Sequence, residues 1–193
     1  MKQLVLDKNN ELEVIKQALL VLKRGKVIVY PTETAYALGA DFLNKEAVKK
    51  IYRIKGRTLN KELPLIVSSL AMAKKYVKFN ATALKLASQY WPGPLTLVLE
   101  GKQGKTLALR ISSNKFANSL VKKFGAPNIA TSANYSGQPT CFKVEEIIKQ
   151  FKNKKFQPDL LINAGPLKKK KVSTIVSVLN NKVKVLRKGG IKL

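Results

Sequence analysis

Three short segments of this 193-residue chain carry polar side chains in arrangements that ligand sites use. The first, residues 30–39, runs from an apolar stretch into a proline, then into threonine hydroxyls, and ends at a glycine. Hydroxyls and exposed backbone amides in such a turn can hold a carboxylate or a phosphate without an acid–base group. An ordinary strand-to-loop turn has the same composition, so this segment alone leaves both interpretations open.

The second segment places three cations in one short loop, Lys55, Arg57 and Lys61, beside Gly56. Arginine binds phosphate oxygens bidentately and lysine acts as a point charge, so this loop is a candidate phosphate site. The chain contains 37 lysines and arginines. Chance clustering is therefore an equally good explanation of this loop taken by itself.

The third segment, residues 131–137, follows a short apolar stretch and contains Ser132, Asn134 and Ser136. Small hydroxyl and amide side chains at the end of a strand can contact phosphates and coordinate a magnesium-bound nucleotide. A plain turn stabilised by Asn and Ser side chains has the same sequence, so the combination of the three segments carries more weight than any one of them.

The absent residue types restrict the chemistry. The chain has no histidine and one cysteine, Cys141, which excludes Ser-His and Cys-His catalysis, histidine metal sites, thiolate zinc clusters and an intrachain disulfide. Its net charge of +26 favours anionic partners such as nucleotides, RNA or acidic membranes. A mutational bias toward A/T-rich codons, which favours lysine and asparagine, would produce the same charge excess. The run of lysines at 168–171 fits a solvated turn better than an RNA clamp.

The elements that position these segments follow from apolar periodicity and from turn residues. Gly25 ends a first helix, Asn44 caps a second, and Asn180 and Asn181 form the turn of a hairpin. Strands are predicted at residues 27–30, 63–67, 95–99, 107–111, 128–131, 160–163, 173–179 and 183–186, and helices at 11–23, after Asn44, and at 70–76, 81–90 and 115–123. This alternation predicts a mixed α/β sheet with helices packed on it. One domain over residues 1–193, with no apolar run long enough to span a membrane, fits a cytoplasmic protein.

The motifs taken together resemble the YrdC/TsaC family. Six pieces occur in the family's order: Pro-Thr-Glu-Thr-x-Tyr-x-Leu-Gly from residue 31, Lys-x-Arg from 55, Trp-Pro-Gly-Pro-Leu-Thr from 91, Ala-Leu-Arg from 108, Ser-x-Asn from 132, and a late pair, Ser-Thr-Ile-Val from 173 with Arg-x-Gly from 187. The resemblance covers residues 27–190 and implies a single-domain twisted mixed sheet with a basic concave ligand surface. Its length corresponds to the short, single-domain form of the family. Ala35, Ala37 and Thr58 depart from the Val, Gly and Pro that are usual in the family.

The resemblance implies an enzyme that converts L-threonine, bicarbonate and ATP to L-threonylcarbamoyl-AMP and pyrophosphate. Partner proteins would pass the threonylcarbamoyl group to adenosine 37 of tRNAs reading ANN codons, with a tRNA contact as a further expectation. The cofactors would be ATP as co-substrate and Mg²⁺, and Lys55 and Arg57 would act in catalysis. The expected ATP-binding residues are Lys55, Arg57, Lys61, Ser132, Asn134, Thr140 and Arg187, and the expected threonine-binding residues are Thr34, Arg110 and Ser173.

Residue chemistry agrees with that implication. A carbamate formed from threonine and bicarbonate would attack the α-phosphorus of ATP, and cations would neutralise the departing pyrophosphate. Catalysis would then depend on positioning and electrostatics, without a protein nucleophile. The alternative is a non-enzymatic RNA-binding protein that uses the charge excess to bind tRNA or double-stranded RNA. A carbamoyl-adenylate module of hydrogenase maturation is a third interpretation, but there the module is part of a much longer chain.

Overall fold

The computed structural model describes residues 1–59 and 61–193, and within them helices and strands alternate as the sequence predicts. The helices are α1 (Glu11–Lys23), α2 (Lys45–Lys55), α3 (Leu70–Tyr76), α4 (Ala81–Tyr90), α5 (Lys115–Phe124) and α6 (Val144–Phe151). The strands are β1 (Lys2–Val5), β2 (Ile28–Pro31), β3 (Tyr36–Gly39), β4 (Leu65–Ile66), β5 (Leu95–Glu100), β6 (Thr106–Arg110), β7 (Asn128–Ile129), β8 (Thr131–Ser132), β9 (Leu160–Asn163), β10 (Thr174–Leu179) and β11 (Lys182–Arg187).

These strands form two mixed sheets, which confirms the α/β class but divides the predicted sheet in two. One sheet has the order β1-β9-β2-β3-β8, and the other has the order β11-β10-β5-β6-β4-β7. Residues 128–131, predicted as a single strand, supply β7 to the second sheet and β8 to the first, with Ala130 between them. The chain therefore crosses from one sheet to the other immediately before Ser132.

Local sequence sets the helix ends. Asn44 accepts hydrogen bonds from the backbone of Glu46 and Ala47, as a capping residue should, and Asn80 and Asn114 cap α4 and α5 in the same way. Helix α2 ends at Gly56, whose positive φ of 61° places the next residues in a sharp turn. The predicted bounds of α1, α3, α4 and β9 are confirmed.

Three elements escaped prediction. Strand β1 is mostly exposed, and it is defined by parallel pairing with β9, about which local sequence says nothing. Strand β3 lies inside the polar first segment, where both faces are buried and no alternation marks a strand. Helix α6 follows the third segment. Conversely, the strand predicted at 63–67 is only the two residues of β4.

The two sheets share one hydrophobic core. Leu38 and Leu161 from the first sheet belong to the same buried cluster as Leu97, Leu109 and Val176 from the second. This packing brings the β2–β3 turn, the end of α2 and the end of β8 close to the end of β6, the start of β10 and the end of β11. None of the helices in the described ranges is both long and apolar enough to cross a membrane.

Candidate functional site

A polar cavity of about 300 Å³ lies where these element ends meet. It takes side chains from the β2–β3 turn, the end of α2, the end of β6, the segment after β8 and both ends of the β10–β11 hairpin. All the site residues predicted from sequence line it except Lys61: Thr34, Lys55, Arg57, Arg110, Ser132, Asn134, Thr140, Ser173 and Arg187. The fold therefore joins residues that are up to 153 positions apart in the chain.

Lys55 is held by the segment that follows β8. Its ammonium donates to the carbonyl oxygens of Ser132 at 2.7 Å and Asn134 at 3.0 Å, and to Asn134 Oδ1 at 3.4 Å. The residue is only 3% exposed. Burial, together with the nearby Arg57 charge, lowers the pKa of the Lys55 ammonium to about 7. Lys55 thus joins the Lys-x-Arg motif to the Ser-x-Asn motif directly.

Asn134 fixes the loop that carries the second of these motifs. Its Nδ2 donates to the carbonyls of Tyr135 and Gln138, and its Oδ1 accepts from the hydroxyl of Ser132. Ser136 N donates to the carbonyl of Lys55 at 2.9 Å, so the backbones of the two motifs are also linked. Because every one of these bonds is internal, the loop has its shape before any ligand binds.

Arg57 contrasts with Lys55. Its guanidinium lies over the ring of Tyr52, with Cζ 5.4 Å from the ring centroid. Nε and Nη2 are buried and have no hydrogen-bond partner among residues 1–59 and 61–193. Burial lowers the pKa of Arg57 from its usual high value, but an arginine stays charged. A partly buried arginine that lines a cavity and has unused donors is a candidate site for phosphate oxygens.

Arg110 forms an ion pair with Glu33, a residue of the first segment to which the sequence analysis gave no role. Its Nε lies 3.4 Å from Glu33 Oε1, and the two side chains are 7% and 8% exposed. This ion pair lacks the geometry of a hydrogen bond, since both atoms are buried without a hydrogen-bond partner in the described ranges. Ser112 Oγ donates to the other oxygen of Glu33. Arg110 is thereby oriented without all its donors being used.

The start of β10 and the end of β11 form the opposite wall of the cavity. Arg187 donates from Nε and Nη2 to the carbonyl of Ser173 at 3.0 and 2.9 Å, and from Nη2 to Ser173 Oγ at 2.9 Å. The hydroxyl of Thr96 donates to Ser173 Oγ at 3.0 Å. Burial and the nearby Arg110 charge both lower the pKa of Arg187. Arg110 and Arg187 therefore lie close enough at this wall for their charges to interact, and Glu33 forms an ion pair with Arg110.

The β2–β3 turn supplies hydroxyls. Thr32 Oγ1 donates to the carbonyl of Ala35 at 2.6 Å and lies 3.1 Å from Thr34 Oγ1. Ala35 and Ala37, which depart from the family pattern, are buried at 5% and 3% exposure and line the cavity with small apolar surfaces. The first segment is thus a structured hairpin turn rather than an open loop.

Lys61, the lysines at 168–171 and Cys141 lie outside the cavity lining. Lys61 is exposed and outside the cavity lining, where its carbonyl accepts from Tyr52 OH at 2.6 Å, and its neighbour Glu62 lines the cavity instead. The lysines at 168–171 are exposed outside any helix or strand, as a solvated segment should be. Cys141 is 1% exposed, and burial raises the pKa of its thiol to about 12, so the thiol stays protonated at neutral pH.

The cavity lining contains no cluster of metal ligands. Over the part of the chain that the structure describes, no three His, Cys, Asp or Glu side chains lie together in a group that could hold a metal ion. The oxygen donors at the cavity include the hydroxyls of Ser132 and Thr140, the amide oxygen of Asn134 and the single carboxylate of Glu62. Such donors suit Mg²⁺ that arrives already bound to phosphates.

Comparison with known proteins gives a consistent result. The family model Sua5_yciO_yrdC, described as telomere recombination, matches residues 20–189. The chain is 35% identical over 175 residues to the threonylcarbamoyl-AMP synthase of Buchnera aphidicola, covering 84% of this chain and 98% of that protein.

Two solved structures match nearly the whole chain. Pyrococcus abyssi Sua5 complexed with L-threonine has a TM-score of 0.88 at 29% identity, over 98% of this chain and 57% of that one. Escherichia coli YciO has a TM-score of 0.85 at 29% identity, over 97% of this chain and 94% of that one. The chain thus spans little more than half the length of the Sua5 structure.

Proposed function

We propose, from the premise that the chain belongs to the Sua5/YciO/YrdC family, that it is a threonylcarbamoyl-AMP synthase. The reaction joins L-threonine, bicarbonate and ATP to give L-threonylcarbamoyl-AMP, pyrophosphate and water. The Buchnera relative carries this name, and the P. abyssi relative was solved with L-threonine.

One observation carries the proposal: the Lys-x-Arg motif, the Ser-x-Asn motif and Arg110 line a single cavity with unused buried arginine donors. An amino-acid carboxylate, bicarbonate and a triphosphate are all anions, so a site that assembles them needs concentrated positive charge. A purely RNA-binding protein has no use for buried donors inside a 300 Å³ cavity. The synthase therefore explains the site better than the RNA-binding alternative.

Each cavity residue is given a role in the reaction according to its position. Arg110, oriented by Glu33, is placed to bind the threonine carboxylate, with the hydroxyls of Thr34 and Ser173 as further partners. The threonine ammonium first loses a proton, and the resulting amine attacks the carbon of bicarbonate; loss of one water, which carries away an oxygen of bicarbonate, leaves a carbamate. A carbamate oxygen then bonds to the α-phosphorus of ATP, and the bond from that phosphorus to the bridging oxygen breaks. Arg57 neutralises the charge that develops on pyrophosphate.

Magnesium fits this site only as a companion of the nucleotide. The hydroxyls of Ser132 and Thr140 could complete its coordination sphere beside phosphate oxygens, because Mg²⁺ takes oxygen ligands and keeps few protein bonds. When bound it would supply charge neutralisation on the phosphates. The protein's own contribution is to orient the two reacting anions and to exclude water between them.

The product would be handed to proteins that transfer the threonylcarbamoyl group to adenosine 37 of tRNA. A mixed carbamic–phosphoric anhydride reacts with water, so close transfer to its acceptor is chemically reasonable. The net charge of +26 would support a direct tRNA contact. We expect the activity in the cytoplasm, since a free buried cysteine suits a reducing compartment.

The test is pyrophosphate release by the purified chain with ATP, Mg²⁺, L-threonine and ¹⁴C-bicarbonate, each omitted in turn. We expect release to require every component and ¹⁴C to appear in an adenylate. Arg110→Ala should raise the KM for threonine far more than that for ATP, whereas Arg53→Ala, which removes an exposed arginine outside the cavity, should change neither. Absence of threonine-dependent release, together with RNA binding of steep salt dependence, would put the RNA-binding alternative first.

A further inference from the structure

The last strand of the second sheet, β11, has an outer edge that pairs with no strand of the described chain. It stands at one end of the order β11-β10-β5-β6-β4-β7, so β10 lies on its inner side and no strand on its outer side. All six of its residues, Lys182–Arg187, are exposed, whereas every second residue of β10 is buried. The outer edge of such a strand presents backbone N–H and C=O groups with which a further strand can pair.

The face of β11 that points toward the core side of the sheet is apolar. Val183 and Val185 stand directly opposite Val178 and Val176 of β10, so the four side chains lie on the same face. Val176 and Val178 are at most 3% exposed, but Val183 and Val185 are 50% and 43% exposed. The core-facing surface of the sheet therefore continues onto β11, where about half of each valine remains in contact with solvent.

A cavity of about 470 Å³ extends this apolar face. Val185 lines it together with Thr174 and Ile191, and so do the lysines at 171, 188 and 192. Thr174 Oγ1 donates to the carbonyl of Ile191 at 2.8 Å and accepts from Ile191 N at 3.0 Å, which holds the segment after β11 in place. Because alternate side chains of a strand share one face, a strand added to β11 would place a side chain at this preformed cavity.

The other face of β11 is cationic. Lys182 and Lys184 alternate with the two valines and stand opposite Leu179 and Ser177 of β10. Neither lysine takes part in an ion pair within the described ranges. Residues 160–193 contain nine lysines and arginines and no aspartate or glutamate. Carboxylates on an added strand would therefore find cross-strand cationic partners on this face.

A second copy of this chain does not suit the outer edge of β11. Pairing of two β11 strands would bring Lys182 and Lys184 of both copies together, between chains that each carry a net charge of +26. Like charges on neighbouring strands are destabilising, and lysines on an edge strand prevent pairing between copies. The same lysines attract carboxylates, so this edge selects an acidic strand over its own copy.

The far end of β11 reaches the central cavity. The pairing with β10 shifts register so that Leu186 is an extra residue, and beyond this bulge Arg187 donates to the carbonyl of Ser173 and lines the central cavity. An extended chain covers about 17 Å from residue 182 to residue 187. A strand that pairs with residues 182–185 would therefore end near the wall of the central cavity.

We propose that the outer edge of β11 binds an acidic, extended segment of a partner protein by strand addition. Lys182 and Lys184 would pair with its carboxylates, and the cavity beside Val185 would take one of its apolar side chains. The proposal rests on the proposed function only for the role of that partner, which is to receive the adenylate. An adenylate that leaves the central cavity beside its receiving protein is exposed to water for less time.

The experiment measures the binding of fluorescein-labelled octapeptides to the full chain by fluorescence polarisation, without ATP or threonine. The probe alternates glutamate with valine, and its control has D-valine in place of every valine. The control keeps the charge but does not fit the backbone of a strand of L-residues. We expect the probe to bind roughly 10-fold more tightly than the control, because cross-strand contacts require the extended form.

A charge reversal locates the binding edge. The double variant Lys182→Glu, Lys184→Glu should bind the probe roughly 10-fold more weakly and should gain binding of an octapeptide that alternates lysine with valine. The matched control is Lys74→Glu, Lys75→Glu, which reverses two exposed lysines of α3 and changes the net charge equally. It should alter neither peptide's Kd. Threonine-dependent pyrophosphate release should be unchanged in both double variants.

Two results would show that net charge alone attracts the probe, and either would overturn the proposal: equal binding of the probe and its D-valine control, or equal weakening by the two double variants. Hydrogen exchange of the unmodified chain is independent of any folding defect in the variants. Protection of residues 182–188 by the probe supports strand addition, whereas protection confined to residues 168–171 overturns it. Protection of residues 182–188 by an RNA oligonucleotide but not by the probe would assign the edge to nucleic acid and also overturn it.

The docking proposal and the synthase proposal fail separately. If the probe binds at β11 but no threonine-dependent pyrophosphate is released, the synthase proposal fails and strand addition stands. If pyrophosphate is released but the probe does not bind, the docking proposal alone is overturned.

Discussion

Lys55 and Arg57 are two residues apart in the sequence, yet the hydrogen bonding of their side chains is opposite. Lys55 has an acceptor for each of its three ammonium hydrogens, all on Ser132 and Asn134. Arg57 has two buried nitrogens without a partner in the described ranges. Gly56, at the left-handed end of α2, separates them and turns the second cation away from the first.

Lys55 is therefore part of the hydrogen bonding that stabilises the protein, whereas Arg57 keeps donors that a ligand could use. Buried polar groups are normally hydrogen-bonded, so an unpaired one has either a cost or a use. Sequence reasoning assigned both residues to catalysis, because a Lys-x-Arg pair gives no sign of where either side chain points. In the structure Lys55 is hydrogen-bonded to the loop after β8, whereas Arg57 Nε and Nη2 have no hydrogen-bond partner in the described ranges.

The largest effect is expected for Arg57→Ala. Removing a preorganised charge aimed at the developing pyrophosphate should lower kcat for pyrophosphate release by about 100- to 1000-fold. The free energy of unfolding should fall by only about 1 kcal/mol, because the contact with the Tyr52 ring is lost but Nε and Nη2 have no hydrogen-bond partner within the described ranges. Steady-state kinetics and urea denaturation of the same preparation measure both quantities. A large loss of stability would mean that Arg57, like Lys55, is structural.

Lys55→Met should give the reverse pattern in stability. It removes the Lys55 donor from both carbonyls; the Ser132 carbonyl keeps the N–H of Asn134 as a donor, whereas the Asn134 carbonyl loses its partner. The free energy of unfolding should therefore fall by about 3 kcal/mol. Urea denaturation provides the measurement, and Lys50→Met, which breaks a partly exposed ion pair with Asp159, is the matched control with a smaller loss. Activity should fall as well, because the Ser-x-Asn loop loses its anchor. Unchanged stability would show that Lys55 does not brace that loop.

The contrast between Lys55 and Arg57 was not accessible from sequence, but much of the fold and the set of residues around the cavity was. Local signals placed α1, α3, α4 and β9 correctly, and motif order predicted which residues would share a cavity. The pairing of Glu33 with Arg110 was missed because it joins residues 77 positions apart, and the only local sign was an acidic residue in a polar turn. The crossing between sheets at Ala130 was missed because a short apolar run does not tell which strand it pairs with.

Gly56→Ala should have an intermediate effect. A methyl group there would overlap the Tyr135 ring, and the positive φ of 61° already disfavours any side chain. We expect a loss of about 2 kcal/mol in the free energy of unfolding, with a raised KM for ATP because the turn that separates Lys55 from Arg57 shifts. Gly125→Ala, which also has a positive φ but open space around it, is the control and should cost less. Equal losses would mean that the contact with Tyr135 is unimportant.

The smallest expected effect is a change in proton binding at Lys55 when ATP binds. Burial, aided by the Arg57 charge, lowers the pKa of Lys55 to about 7 in the free protein. A bound triphosphate adds negative charge and must raise that pKa, because an anion favours the protonated amine. At pH 8 most Lys55 side chains are neutral before ATP binds and charged after it binds. ATP binding should therefore take up a fraction of a proton per site. This uptake should vanish below pH 6, where the amine is charged in both states.

Titration calorimetry in two buffers of different ionisation enthalpy measures this uptake. Lys55→Met should abolish it, and Arg57→Ala should not, since arginine stays charged throughout. Equal uptake in Lys55→Met would assign the proton to another group and leave Lys55 charged in both states, as its three acceptors alone would favour.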